Sequence, residues 1–306
     1  MNLQQLEYIV AVDIHRHFAR AADACFVTQP TLSMMIQKLE EELETKIFDR
    51  SKQPVIPTEA GVLIIEQARV VLREKNRISE IIHRQKDTVE GQLDVGIIPT
   101  LAPYLVPLFI TRFLQKYPQV RIRIQEITTE LLVDKLKKGQ IDVGILVTPL
   151  KDAAIRETPL FYETFMVYSS HGFDKEYILP EDINPNELWL LEEGHCFRSQ
   201  IMNLCELKKQ SDSHLQYEAG SVETLKQLVE KHQGVTILPE LAIRTLSPRE
   251  RKRLTPFQAP APAREVSLVT HRDFIKRQLI EALREEILAS LPVEIRQKEG
   301  FVRVEM

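Results

Sequence analysis

Leu3, Leu6, Ile9, Val10 and Val12 put apolar side chains at helical spacing near the start of the chain, with polar residues between them. This pattern predicts a first helix. A second, short helix follows over FARAADACF (18–26), and a third over VTQPTLSMMIQKLEEELE (27–44). Thr28 suits the N-cap of the third helix, and Pro30 suits its first turn, where a missing N–H is harmless. Leu32, Ile36, Leu39 and Leu43 make its buried face. Two helices joined by a tight break predict a helix-turn-helix. KIFDRSKQPVIPT (46–58) then reads as a short two-stranded wing with Lys52 and Gln53 near its tip.

Residues 59–87 hold no Pro and a single Gly, at the start. Ile64, Ala68, Val71, Lys75, Ile78 and Ile82 fall at alternating spacings of four and three. Five of these six are apolar, a heptad-like seam that predicts a dimerising linker helix. The alternative is a long helix packed on its own chain. From about residue 88 the texture changes. GQLDVGII, VRIRIQEI and IDVGILV read as strands, with PYLVPLFITRFLQKYP and TELLVDKLKKG as helices between them. TFMVYSS (164–170), LWLL (188–191), LQYEA (215–219), VTILP (235–239) and SLVTH (267–271) extend the pattern, and FIKRQLIEALREEILASL closes it. The expectation is an α/β domain with mostly parallel pairing.

The net charge of −4 gives no support to a nucleic-acid partner, and residues 1–58 carry six Lys/Arg against eight Asp/Glu. A DNA-binding role has to rest on where charges sit rather than on their sum. No apolar run approaches the ~18 residues of a membrane span. The first residues lack a basic leader, and Asp13 and His15 interrupt their apolar stretch, so the expected location is the cytoplasm, with no membrane partner. That compartment is reducing, which disfavours a permanent disulfide. There is no G-x-G-x-x-G and no P-loop, so no cofactor is expected. Two of the three cysteines, Cys196 and Cys205, share the stretch GHCFRSQIMNLC (194–205). On composition alone such a pair is inert, metal-binding or redox-active. On one straight helix nine residues span ~13 Å and half a turn, whereas a disulfide needs Cα atoms within about 7 Å. The pair therefore cannot close while that helix stands.

The run FxxAAxxxxVTQPTLSxxIxxLExxL at 18–43, with FDR (48–50) and TEAG (58–61), resembles the LysR-type transcriptional regulators, and the likeness extends over essentially the whole chain. GHCFRSQIMNLC, IPT (98–100) and ITT (127–129) resemble the hydrogen-peroxide-sensing branch of that family. The resemblance implies a winged helix-turn-helix domain over 1–58, a dimerising linker helix over 59–87 and an α/β redox-sensing regulatory domain over 88–306. That domain would be periplasmic-binding-protein-like, with one subdomain at about 88–162 and 268–306 and another at about 163–267. It also implies a regulator rather than an enzyme, whose partners are double-stranded promoter DNA, hydrogen peroxide, further copies of itself as a homodimer or homotetramer, and RNA polymerase. Glu44 stands where the family usually has Gly after the recognition helix, and Pro57 replaces a usual Leu. The first departure raises the question of whether the wing enters at a different angle.

Residues near the start of a recognition helix read bases in the major groove, here Thr28, Gln29, Pro30, Thr31 and Ser33. Gln29 can bond adenine in bidentate fashion. Lys38, Arg50 and Lys52 are candidates for phosphate contacts. In the regulatory half the resemblance makes Cys196 the peroxidatic and Cys205 the resolving cysteine. Thr100, Thr129 and His195 would form the peroxide pocket with Arg198. A helix N-terminus and the Arg198 charge would favour the Cys196 thiolate. Thr100 and Thr129 are expected in loops after strands. Cys25 lies on an apolar helix face and reads as buried and inert. Alternatives are a regulator that binds a small metabolite, a thiol peroxidase, and a Zn²⁺ site of His195, Cys196 and Cys205. The last lacks a fourth ligand, and no metal is expected.

Overall fold

A computed structural model describes residues 1–83, 89–192, 194, 196–206, 219–274, 276–296 and 300–304. The chain forms two units, Met1–Asp87 and Thr88–Met306. The first unit opens with α1 (Leu3–His15), α2 (Phe18–Ala24) and α3 (Gln29–Glu42), followed by β1 (Phe48–Asp49), β2 (Ile56–Pro57) and α4 (Glu59–His83). Thr28 caps α3 by accepting from the Thr31 N–H at 3.4 Å. β1 and β2 pair antiparallel as the wing. Ile9, Val12, Ala21, Leu32, Ile36, Leu39 and Phe48 are buried in one core.

Two features of α3 differ from the apolar pattern. Leu43 is its C-cap and is exposed, while Glu40 is buried. The Glu40 carboxylate accepts from the N–H groups of Ile47 (2.8 Å) and Phe48 (3.2 Å) and pairs with Arg50 at 3.3 Å. A charge is tolerated there because each oxygen is engaged. The other feature is Glu44, which adopts φ +50°. Its N–H reaches the Glu41 carbonyl and the Thr45 N–H reaches the Glu40 carbonyl, the double closure of a Schellman motif. The left-handed terminus that Gly would favour thus forms with Glu, at the expense of backbone strain. Glu44→Gly is expected to stabilise the protein by about 0.5–1 kcal/mol, seen as a higher urea midpoint.

The second unit contains β3 (Gly91–Ile97), α5 (Ala102–Lys116), β4 (Val120–Glu126), α6 (Thr129–Lys137), β5 (Val143–Thr148) and β6 (Ile155–Ser169). Then come α7 (Cys196–Leu204), α8 (Val222–His232), β7 (Val235–Pro239), α9 (Glu240–Ile243), α10 (Pro248–Arg251) and β8 (Leu254–Pro256). β9 (Ala261–His271), α11 (Arg277–Ser290), α12 (Val293–Arg296) and β10 (Phe301–Arg303) complete it. The strand order is β4-β3-β5-β9-β6-β7, with β10 beside β9 and β8 beside β6.

Pairing is mixed rather than mostly parallel. β3 pairs parallel with β4 and β5, and β10 with β9, but β9 runs antiparallel to both β5 and β6, and β6 antiparallel to β7 and β8. The reason lies in β6 and β9, two long strands. Ile155–Thr164 of β6 pairs with β9, and its continuation Phe165–Ser169 pairs with β7. One strand thereby belongs to both halves of the sheet. Of the other expected strands, 188–191 contributes only isolated bridges, and 215–218 lies outside the described residues.

Candidate functional site

Three elements of the second unit converge on Cys196. Thr100 sits in the turn between β3 and α5 and is buried. Thr129 is the first residue of α6 rather than part of the preceding loop. Leu132, one turn further along α6, lies over Gly96 and Gly144, which face each other across β3 and β5. A Cβ on Gly144 would stand 2.3 Å from Leu132 Cδ2. Two glycines therefore let α6 approach the sheet closely, and that approach sets the height of Thr129.

The cation of the site is Arg264 of β9, which the sequence reading missed. It is fully buried. Nε donates to Glu163 Oε2 at 2.8 Å, Nη1 to Thr100 Oγ1 at 2.9 Å and Nη2 to the Thr100 carbonyl at 3.3 Å. The guanidinium carbon lies 5.2 Å from the centre of the Phe197 ring, which in turn packs 5.5 Å from Phe165. Arg198, expected beside the thiol, instead donates to the Leu191 carbonyl at 2.8 Å. A charged residue inside the apolar run of β9, and another inside the run of β6, were the available signals. A buried charge persists only when paired, and the partners stand 101 residues apart.

Cys196 is the first residue of α7, after Gly194 at φ +92°. Phe197, Gln200 and Ile201 are the buried face of that helix. The Cys205 N–H donates to the Ile201 carbonyl at 3.0 Å, so helical pairing continues to the second cysteine before Glu206 turns left-handed. Both cysteines are free thiols. Nine residues of helical rise hold their Cα atoms ~13 Å apart on opposite sides.

The electrostatics correct one expectation. Desolvation raises the Cys196 pKa, and this outweighs the Thr129 hydroxyl, the Arg264 charge and the amides of Phe197 and Cys196, all of which favour the thiolate. Thr129 Oγ1 is buried without a partner of good geometry among the described residues, and the Cys196 sulfur is the group near enough to feel it. Burial, then the Glu181 charge, pushes Cys205 up to about 11. Both shifts favour the protonated thiol over the thiolate. Peroxide oxidation of Cys196 is expected to accelerate through neutrality, by about tenfold per pH unit below the thiol pKa. Stopped-flow kinetics across pH checks this, and a plateau beginning in acid would indicate a low-pKa thiolate instead. The same raised pKa works on stability in one direction. Its contribution is complete below the unfolded thiol value and declines as pH rises through the folded one.

His195 lies outside the described residues. Cys25 is half-buried, and burial followed by the Glu7 charge raises its thiol. Among the described residues, no group of three or more His, Cys, Asp and Glu is placed to hold a metal ion. No helix among them is long and apolar enough to cross a membrane.

In the first unit Thr28, Gln29, Pro30, Thr31 and Lys38 are exposed along the start and outer face of α3, and Lys52 is exposed in the wing. Ser33 is half-buried and accepts from Arg50 Nη1 at 3.0 Å. Arg50 also pairs with Glu40 and lies 4.9 Å from the centre of the Phe18 ring. It therefore braces the wing against α3. Phe26, in the turn before Thr28, is 96% exposed at φ +56°. On α4, Ala68 is buried and Ile64 partly buried in the unit's own core, where Arg69 pairs with Asp13 at 2.6 Å. Val71 and Ile78 are exposed, together with Leu63 and Val70. The side chain of Ile82 lies outside the described ones.

Residues 3–62 match the bacterial regulatory helix-turn-helix protein family of lysR type, and residues 86–292 match the LysR substrate binding domain. The chain belongs to the LysR family of DNA-binding transcriptional regulators. Within that family it is 39% identical over 299 residues to the DNA-binding transcriptional dual regulator OxyR of Escherichia coli K12, covering 95% of this chain and 96% of that one. A hydrogen peroxide-inducible genes activator of Haemophilus influenzae is 37% identical, over 88% of this chain and 90% of its own. A full-length OxyR variant from Pseudomonas aeruginosa superposes with a TM-score of 0.80 at 36% identity, over 94% of this chain and 98% of that one. A Corynebacterium glutamicum OxyR cysteine-to-serine variant with hydrogen peroxide bound gives 0.61 at 27% identity, over 94% and 92%. The chain is thus OxyR-like, of the hydrogen peroxide-inducible activator type.

Proposed function

We propose that this protein senses hydrogen peroxide at Cys196 and transmits the event to promoter DNA. The observation that carries the reading is the buried cluster at the start of α7, where the Thr129 hydroxyl and the Arg264 charge, itself bonded to Thr100, both act on one thiol. The Cys196 thiolate attacks one peroxide oxygen and the O–O bond breaks, giving a sulfenic acid and, after protonation, water. Thr129 and Thr100 orient the peroxide, and Arg264 steadies the developing negative charge. The Cys205 thiolate then attacks the sulfenic sulfur, expels a second water and forms the disulfide. Two cysteines whose Cα atoms lie ~13 Å apart on one helix cannot join without unwinding α7, so oxidation converts the segment between two arrangements.

On the DNA side, Thr28, Gln29, Pro30, Thr31 and Ser33 read bases, and Lys38 and Lys52 contact phosphates, with Arg50 positioning the wing. Copies associate through α4, whose exposed stripe of Leu63, Val70, Val71 and Ile78 is available to a partner helix. A homotetramer on DNA that contacts RNA polymerase in the cytoplasm is the assembly this reading expects. Footprinting of the reduced and peroxide-treated protein side by side tests it. A footprint that shifts on oxidation is the expected result. Identical footprints, with no Cys196–Cys205 link by mass spectrometry, would overturn it.

A further inference from the structure

We infer that Gln200, in the middle of α7, sets how readily the sensor helix lets go. The inference rests on the redox reading above and concerns a residue to which that reading gives no role in the attack on peroxide. Gln200 is fully buried. Among the described residues its Nε2 donates one long bond, 3.4 Å, to the Val304 carbonyl. Its Oε1 is buried with no partner among the described residues.

The acceptor is fixed to a rigid base. The Val304 N–H donates to the Ala263 carbonyl at 2.8 Å, and β10 pairs with β9 from Ala261 to Ala263. Arg303 pairs with Glu265 at 3.1 Å, and the Phe301 ring lies 4.4 Å from that of Tyr162. Ala263 directly precedes Arg264, the cation of the thiol site. The strand that carries the sensor's charge therefore also anchors the segment that holds the sensor's helix.

A buried amide that finds one weak bond and leaves its oxygen unmatched among the described residues gives α7 less hold than an apolar side chain of the same size would. The helix is fastened by Phe197 and Ile201 but loosened at Gln200. Unwinding returns that amide to water, so part of the conformational barrier to disulfide formation has been removed in advance. Gln200 is thus a positioning residue for the switch, acting on the helix and leaving the attack on peroxide alone.

The test separates the two steps in full-length protein. Sulfenic acid formation is followed by dimedone trapping in a Cys205→Ser background, and disulfide formation by mass spectrometry with Cys205 present. Gln200→Met keeps the volume and removes the polar atoms. It should leave the first step unchanged, slow the second by about tenfold, and strengthen amide protection of α7 in the reduced protein. At equilibrium with a thiol buffer the same tenfold makes the disulfide easier to reduce by about 30 mV. Gln200→Asn, too short to reach Val304, should speed the second step, so damage to the fold cannot mimic the pair of opposite results. An unchanged disulfide rate in Gln200→Met, or both variants shifting it the same way, overturns the inference. A wild-type protein that never links Cys196 to Cys205 would instead sink the redox reading beneath it, and the reduced-state protection of Gln200→Met would still report on Gln200 alone.

Discussion

Cys196→Ser is expected to leave the protein folded and bound to its promoter, and to erase every response to peroxide. The substitution exchanges sulfur for oxygen at a position that already tolerates desolvation, so the α7 core of Phe197 and Ile201 stays in place. What disappears is the nucleophile, since a serine hydroxyl is far too weak an acid and nucleophile to attack peroxide unaided. Footprints with and without oxidant should coincide. Cys205→Ser should behave differently: peroxide is still consumed once per thiol, and the sulfenic acid persists long enough to be trapped by dimedone. If Cys196→Ser retained a peroxide-dependent footprint, the sensing thiol would have to lie elsewhere, and Cys25 and Cys205 are the cysteines that remain.

The second large effect is expected at Arg264. Arg264→Met removes one partner of a pair in which both side chains are completely buried. It leaves the buried Glu163 carboxylate without its counterion, with the Leu241 N–H as its remaining donor among the described residues, at 2.7 Å. Breaking such a pair costs about 3–5 kcal/mol, because the surviving charge keeps its desolvation penalty and loses its counterion. The loss should appear as a lower urea midpoint. The variant should also oxidise more slowly at Cys196, since Arg264 favours the thiolate. The double variant Arg264→Met with Glu163→Gln separates these effects. Stability should recover in large part, because the orphaned charge is gone, while slow oxidation persists. Recovery of both would mean that Arg264 acts on the thiol only by keeping the fold intact.

The helix-turn-helix was legible because its signals are local. Thr28 caps three residues from its target N–H, Pro30 sits in a first turn, and Leu32, Ile36 and Leu39 repeat at the helical period. Glu40 and Leu43 broke that pattern for tertiary reasons, since the wing returns to hydrogen-bond Glu40 and leaves Leu43 at the open end of the helix. The reach of β6 was hidden by Pro159, which marks an irregularity in the ladder and made the stretch before 164 unlike a strand. With β6 shortened, the antiparallel centre of the sheet was invisible. That Cys196 and Cys205 share one helical segment was legible from their spacing. The upward shift of the Cys196 thiol was not, because amides and charges are visible in sequence order whereas desolvation depends on what packs around the sulfur. Arg264 was missed for the same reason, its importance coming from contacts with residues more than a hundred positions away. On α4 a heptad count placed Ala68 in an intermolecular seam, but the unit's own core contains it, leaving the exposed stripe one helical face over.

Hydrogen–deuterium exchange over residues 196–205, read together with the disulfide mass in one experiment, is the measurement closest to the core of this account. Reduced protein should show protected amides along α7, and protection should collapse as the Cys196–Cys205 link appears. A link that forms while those amides stay protected would contradict the account, because an intact helix cannot bring the two sulfurs together.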